Sequence, residues 1–345
     1  MVMNMKLSII TPVYNSMRTL DDYMSAILMQ DFAHDKIEII FADGGSTDGT
    51  LEKIEVYKSS CDIKISLLSN PLKTAEAGKA IGVRASTGDI VCFLDSDNIL
   101  PDSDWITRML QPFEESEIIA SEPIEYTWRK QDSVVNRYCA LIGMNDPLCM
   151  FTGNYDRKCL VTGKWTEVDR EELDRDEYLS IKFNPRMIPT IGANGFFMRR
   201  AELCDNFEGD YLFDIDVLWE LMQKNPEIRV AKVKTGIVHL FCPDVKTFYR
   251  KQNRRIRDFL YFSDAKGRKY PWSKVGKGKI VLFGLCCVTV IPLLFQSVIG
   301  WTRKHDTISW LFHPVACWIT LLVYGWGTIC GIFHKEAANR EGWKQ

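Results

Sequence analysis

From residue 6 to about 118 the chain alternates short apolar runs with segments whose apolar positions recur every three or four residues. LSIITPV, IEIIFAD, IKISLLS and DIVCFLDSD read as strands. MRTLDDYMSAILMQ places Leu20, Tyr23, Met24, Ile27 and Leu28 at helical spacing, and STDGTLEKIEVYKSS and AEAGKAIGVRAS read as further helices. Strands alternating with crossover helices predict an α/β domain, a mostly parallel sheet with helices on both faces. Ligands bind such sheets beyond the carboxyl ends of the strands. Asp43 and the triplet Asp95-Ser96-Asp97 stand at two of those ends.

Residues 119 to about 260 are mixed. GNYDRKCLVTGKWTEVDREELDRDEYLS is polar and charge-rich, which predicts an irregular surface excursion. TIGANGFFMRR follows, and then DYLFDIDVLWELMQKN, an acidic helix start that leads into an apolar face. The last third changes character. Residues 280–301 and 308–333 carry no Asp, Glu, Lys or Arg, and each stretch exceeds the ~20 residues that cross a hydrocarbon core. The connector TRKHDT is too short to be a domain, so a transmembrane hairpin is expected, with Pro292 and Pro314 as kinks and Trp301, Trp310 and Trp326 at the interfaces. Gln296 and His313 keep a buried hairpin in a soluble core as the other reading. Arg268, Lys269, Lys274, Lys277 and Lys279 before the pair, with Lys335 and Arg340 after it, put both ends on the cytoplasmic side. Arg303 and Lys304 in the connector weaken that bias. The expected divisions are 1–118 and 119–262, two halves of one α/β domain, then 263–279, a basic juxtamembrane segment, 280–333, the hairpin, and 334–345, a cytoplasmic tail.

Composition narrows the classes. With 46% hydrophobic and 26% charged residues over 345 positions, wholesale disorder is excluded. A net charge of -2 gives no case for nucleic acid as a partner. The 11 cysteines are odd in number, sit in apolar runs and form no CxxC pair, which fits reduced, buried thiols. KLSIITPVYN begins almost at the N-terminus, so no signal peptide is expected and the first domain is expected in the cytosol.

The chemistry concentrates at the strand ends. Two carboxylates one residue apart, Asp95 and Asp97, repel each other unless a cation relieves them, and Mg²⁺ and Mn²⁺ prefer such oxygen ligands while leaving room for substrate phosphates. Taken alone, SDNILPDSDW is equally a turn or helix cap. FADGGSTDGT places Asp43 before a glycine-rich turn opened by Gly44, where a base or ribose could be held, and TPVYN puts Pro12 after a strand. These segments follow one another in a fixed order.

In that order the chain resembles the family 2 glycosyltransferases, inverting enzymes with the GT-A fold. The matching stretches are SIITPVYN, ILMQDF, IIFADGGSTDGT, AGKAIGVRASTGDIVCFLDSDN and GANGFFMRR, and the resemblance runs from about residue 6 to 260. It implies that Pro12, Tyr14 and Asn15 line a nucleotide pocket and that Asp43, with Gly44, holds the base or ribose. It implies that Asp95, Ser96 and Asp97 form the nucleotide-sugar and metal motif, with Asp97 the direct ligand of Mn²⁺ or Mg²⁺. Lys79 and Arg84 either add positive charge near the phosphates or lie on a solvated helix face; Ala80 stands where the family commonly has Asn. The base that takes the acceptor's proton is expected in YLFDIDVLWEL, at Asp214 or two residues on at Asp216, with Phe213 in place of the usual Glu. His239 is implied as a further metal ligand or a diphosphate contact, the other reading being a structural histidine. RKQNRRIRDF carries Gln252 and Arg255 of the processive members' Gln-x-x-Arg-Trp motif but has Ile256 in place of Trp, which argues against a polymerising enzyme. Its Arg250, Lys251, Arg254, Arg255 and Arg257 either meet anionic lipid or form a solvated face.

The expected function is a membrane-anchored sugar transferase on the cytoplasmic face. It takes one sugar from a nucleotide-sugar donor, UDP-linked, to a lipid-linked glycan. The second reading makes polyprenyl phosphate the acceptor. An inactive membrane scaffold and a nucleotidyltransferase are the readings from other classes, disfavoured by the set of aspartates and by PVYN.

Overall fold

The protein, described from a computed structural model, is resolved into elements over residues 4–264, 269–270 and 276–333. Arg268, Lys274, Lys335 and Arg340, with the expected tail 334–345, lie outside the described residues. The chain opens with β1 (Leu7–Val13), α1 (Met17–Leu28), β2 (Ile37–Asp43), α2 (Thr50–Ser60), β3 (Lys64–Ser69) and α3 (Ala75–Ala85). It continues through β4 (Ile90–Phe93), β5 (Asn98–Ile99), α4 (Trp105–Leu110) and β6 (Ile118–Tyr126). Helices α5 (Val134–Ile142) and α6 (Leu148–Thr152) precede β7 (Arg170–Asp174), β8 (Tyr178–Phe183) and β9 (Phe196–Arg199). Then come α7 (Arg200–Asn206), α8 (Asp214–Lys224), β10 (Arg229–His239), α9 (Val245–Asp264), α10 (Lys277–Thr289), α11 (Ile291–Arg303) and α12 (Thr307–Phe333). Two compact units emerge: residues 1–127 with 168–239, and residues 128–167 with 240–345.

The first unit is built on a 10-stranded sheet ordered β3-β2-β1-β4-β9-β6-β10-β8-β7, with β5 paired to β10. β1, β2, β3 and β4 pair in parallel, as do β6 and β10, while β9, β8 and β5 run antiparallel to their neighbours. This is the mixed, parallel-dominated sheet that the alternating pattern predicts. All seven residues of β2 are buried, the mark of a strand covered on both faces. Its one acid, Glu38, is satisfied there by Ser8 Oγ, by Thr87 through its backbone N–H and hydroxyl, and by Lys64 at 3.0 Å. Helix α3 starts where Thr74 accepts the Ala77 N–H at 3.1 Å. It lies close on β1 because Gly82 has no side chain: a β-carbon there would sit 2.2 Å from Ile10 Cγ2.

The polar stretch expected to be an irregular excursion is only partly so. REELD and YLSIKF within and after it form the β7–β8 hairpin, turned at Asp176 with φ 58. β7 is an edge strand whose acidic side chains face solvent, the composition that blunts a sheet edge and hides a strand from hydropathy alone.

The second unit joins α5, α6 and residues to 167 to the C-terminal helices. The first half of the expected hairpin is a bent pair of helices. Residues 280–301 divide into α10 and α11, 13 residues each, bent by 91° at Val290, whose φ is 60. Pro292, in the first turn of α11, suits a helix start and cannot continue α10. Among the described residues α12 is the one unbroken helix long and apolar enough to cross a membrane, over Thr307–Cys330.

Candidate active site

The parallel pairings, with β9 running against both β4 and β6, bring the carboxyl ends of β1, β2, β4, β6 and β10 to one edge of the sheet. Tyr14 and Asn15, Asp43, Asp95–Asp97, Tyr126 and His239 therefore meet there although the sequence scatters them.

At the β1 and β2 ends Asp43 organises its own loop. Its Oδ2 accepts the Gly45 N–H at 2.8 Å, and its Oδ1 accepts the Ser46 N–H at 3.1 Å. Asn15, held at φ 52, donates its backbone N–H to Ser46 Oγ and accepts the Thr47 N–H on Oδ1, both at 2.9 Å. The Gly44 N–H reaches Val13 O at 2.9 Å, and Tyr14 lies against the same glycine. Tyr14, Asn15, Asp43 and Gly44 are thus one constellation. Pro12 contributes differently: it packs under α3, where a β-carbon on Gly78 would lie 2.9 Å from it. Ser96 Oγ donates to Ser16 Oγ at 2.8 Å and ties this loop to the acidic turn.

Asn98 fixes that turn. It accepts the Asp95 N–H on Oδ1 at 3.0 Å, and its own N–H returns to Asp95 O at 2.9 Å. Its amide then donates to Asn194 Oδ1 at 3.0 Å, and Asn194 donates to Tyr126 OH at 3.0 Å. Across the short β5–β10 bridge Asn98 is also the partner of His239. The result is His239 Nε2 at 3.5 Å from Asp97 Oδ1, with the Tyr126 ring 5.6 Å from the imidazole. Asn98, Asn194 and Tyr126 were not singled out by the sequence pattern. GANG and DSDN contain two of them, and only the fold shows that they face each other.

The second acidic group comes from α8. Asp214 and Asp216 both lie in its first turn, where the helix N-terminus favours negative charge. Asp216 is 4% exposed. Asp214 Oδ2 accepts a hydrogen bond from the Lys79 ammonium, which also reaches Gly192 O at 3.4 Å and lies over the Phe93 ring. Lys79 is thus spent on Asp214 rather than presented on an open helix face. Asp214 Oδ1 is buried and accepts no hydrogen bond. Gly192, at φ 121, makes the approach feasible: a β-carbon there would stand 2.2 Å from Asp214 Cβ. The Gly192 N–H is anchored in turn at 3.1 Å to Glu122, which pairs with Lys232 at 2.6 Å in the fully buried centre of the sheet.

Electrostatics link the two groups. Burial pushes the Asp214 carboxyl up to about 6, Lys79 pulls against that rise, and the charges of Glu76 and Asp95 add to it. For Lys79 burial alone would lower the ammonium, but the charges of Asp214 and Asp95 leave it above the ordinary lysine value. Asp95 is therefore within electrostatic reach of the Lys79–Asp214 pair, while Asp97 faces His239.

No group of three or more His, Cys, Asp or Glu side chains able to hold a metal occurs among the described residues. Asp95, Asp97 and His239, expected to share one ion, therefore do not form a ready-made cage. The donor set still fits a divalent cation of the Mg²⁺ or Mn²⁺ type, which is commonly held by one or two carboxylates and completes its shell with substrate phosphates.

Residues 8–135 match the family described as Glycosyl transferase family 2. Among curated proteins, the Staphylococcus aureus poly(ribitol-phosphate) beta-N-acetylglucosaminyltransferase TarS is 30% identical over 96 residues, 28% of this chain and 17% of TarS. WfgD of Escherichia coli, a UDP-Glc:alpha-D-GlcNAc-diphosphoundecaprenol beta-1,3-glucosyltransferase, is 32% identical over 105 residues, 30% of this chain and 38% of WfgD. The chain spans well under half the length of either relative. Among solved structures, the mannosyltransferase PcManGT from Pyrobaculum calidifontis, in complex with GDP-Man and Mn²⁺, superposes with a TM-score of 0.53 at 13% identity. The match covers 93% of this chain and 87% of that one. The fold is shared with that enzyme.

Proposed function

We propose that the chain is a membrane-associated, metal-dependent inverting glycosyltransferase that moves one sugar from a UDP-linked donor to a lipid-linked glycan, with the catalytic unit on the cytoplasmic face. The observation that carries this reading is the convergence of two acidic groups on one sheet edge: Asp97 beside His239, and Asp214 clamped by Lys79 within reach of the Asp95 charge. Names of the relatives support the class of donor and acceptor, WfgD through a UDP-sugar and a diphosphoundecaprenol-linked sugar.

Tyr14, Asn15, Asp43 and Gly44 would hold the base and ribose, with Ser96 carrying the contact across to the acidic turn. Asp97, His239 and Asp95 would hold Mn²⁺ or Mg²⁺ together with the donor's phosphates. The cation supplies positive charge against the departing diphosphate. Asp214 takes the proton of the acceptor hydroxyl as that oxygen bonds to the anomeric carbon, and the bond from that carbon to the diphosphate oxygen breaks on the opposite face. The electron pair leaves with the nucleoside diphosphate. Lys79 keeps Asp214 oriented and ionised near neutral pH, and Asp216 supports the same helix turn.

The test is a screen of nucleotide-sugars with Mn²⁺ against two acceptors, a lipid-linked sugar and bare polyprenyl phosphate. Transfer to the lipid-linked sugar that stops on chelation is the expected result. Product from the bare carrier, undiminished by Asp214→Asn, would shift the assignment to synthesis of a lipid-phosphate-sugar, since an ionised phosphate needs no base.

A further inference from the structure

The helices α10, α11 and α12 expose an apolar surface that no described residue of the second unit covers. Leu285, Val288, Ile291, Phe295, Leu311 and Leu322 are between 58% and 74% exposed, Ile291 most of all at 74%. Their opposite sides are packed: Phe283, Cys286, Cys287, Leu293 and Cys317 form one buried cluster, and Trp310 fills the space left by Gly300. Each helix therefore has one satisfied face and one bare one.

Length and direction say how that bare surface can meet a bilayer. At 1.5 Å per residue, a 13-residue helix reaches only about 20 Å, short of the ~30 Å of a hydrocarbon core. α10 and α11 are each of that length and turn by 91° between them. α12 is long enough, but 44% of its apolar window is buried against protein. Much of what buries it is α9. Gly327 fits against Ile256, and the Tyr324 hydroxyl donates to Asp146 at 2.6 Å and lies 3.0 Å from Gln252 Oε1. α9 carries Arg250, Arg254 and Arg257 on exposed positions. A helix so charged cannot follow α12 through hydrocarbon. The expected lipid-facing basic set is also thinner than its sequence suggests, because Arg255 turns inward to Asn145 O at 3.1 Å and Lys251 lies over the Phe241 ring.

Charge identifies the partner. Between Asp264 and Asp306 the sequence holds Lys266, Arg268, Lys269, Lys274, Lys277, Lys279, Arg303 and Lys304 and no acidic residue. Lys277, Lys279 and Arg303 flank the bent pair on exposed positions. Two copies apposed through this face would bring like charges together, whereas an anionic leaflet complements them. Exposed Trp301 and Trp326, at 41% and 69%, suit the headgroup level.

We infer that the second unit is a one-leaflet anchor: α10, α11 and the bare face of α12 lie in the surface of an anionic bilayer and the chain does not cross it. This takes up the membrane attachment proposed above and fixes its mode, independently of the chemistry. The full chain carrying Lys246→Cys and His305→Cys, both exposed sites of the second unit, is expressed and sealed membrane vesicles are labelled with an impermeant maleimide. Chains bearing both new labels in intact vesicles are expected. Double labelling that appears only after detergent means that α10–α11 crosses, and the inference fails. In parallel, flotation with vesicles of phosphatidylglycerol and phosphatidylcholine is expected for the wild type. Val288→Glu with Phe295→Glu should weaken it by roughly tenfold or more, given ~1.5–3 kcal/mol per apolar side chain transferred, with circular dichroism unchanged. Flotation that ignores both substitutions, or a detergent-free dimer that binds no vesicle, overturns the leaflet as the partner. Turnover of a soluble donor is measured alongside, so that loss of anchoring and loss of the transferase reading are told apart.

Discussion

Replacing Asp214 by Asn tests the chemistry at its most exposed point. The substitution keeps shape and removes the charge that Lys79 holds in a nearly closed site, where the two side chains are 8% and 12% exposed. Two effects follow. Loss of a positioned general base costs about 10²- to 10⁴-fold in rate. Leaving the Lys79 ammonium opposite an amide costs stability as well, on the order of 1–3 kcal/mol because a buried donor keeps only part of its partner. The two separate by assay. Nucleoside diphosphate release is followed under kcat/KM conditions from pH 5 to 8, well below the melting temperature of both proteins. In the wild type, kcat/KM should fall about tenfold per unit below pH 6, where Asp214, raised to about 6 by burial, takes up its proton. The limb should vanish in Asp214→Asn, leaving a low, flat profile, while Asp216→Asn keeps it. A limb that persists in Asp214→Asn, or a loss under tenfold, refutes the assignment of the base.

Other outcomes follow from the same geometry. Gly192→Ala puts a β-carbon against Asp214 at a residue held at φ 121; turnover should drop at least tenfold with far-UV circular dichroism retained, as steady-state kinetics on purified protein will show. Lys79→Met should lower the rate and shift the acid limb upward, because burial then acts on Asp214 without the opposing ammonium; the pH profile reads the sign. Asn98→Ala removes the residue that holds Asp95 and is bonded to Asn194, so Mn²⁺ titrated against turnover should show half-activation at roughly tenfold higher metal. Gly82→Ala forces α3 off Ile10 and should lower thermal stability by about 1–3 kcal/mol, measured by denaturant unfolding.

Much of the first unit was legible because its strands are buried on both faces and bounded by turn chemistry, so IEIIFAD names β2 from end to end. The β7–β8 hairpin escaped because an acidic edge strand has no apolar run to display. In the C-terminal third hydropathy measured composition and missed direction: 280–301 is apolar throughout, yet its chain turns at Val290. Within the site, aspartates at strand ends could be read singly, since strand period and turn residues are local signals. Their partners could not. Lys79 and Asp214 lie 135 positions apart, and their pairing depends on α8 beginning opposite α3 at a glycine. His239 reaches Asp97 through a two-residue strand, β5, too short to leave a pattern.

The most direct measurement is calorimetric titration of UDP into the full chain with Mn²⁺, with EDTA, and with Mn²⁺ in the Asp97→Ala variant. Binding that weakens at least tenfold without the metal, and by as much again in the variant with Mn²⁺ restored, is the predicted result. Equal affinity in all three would mean that the acidic end of β4 takes no part in holding the diphosphate.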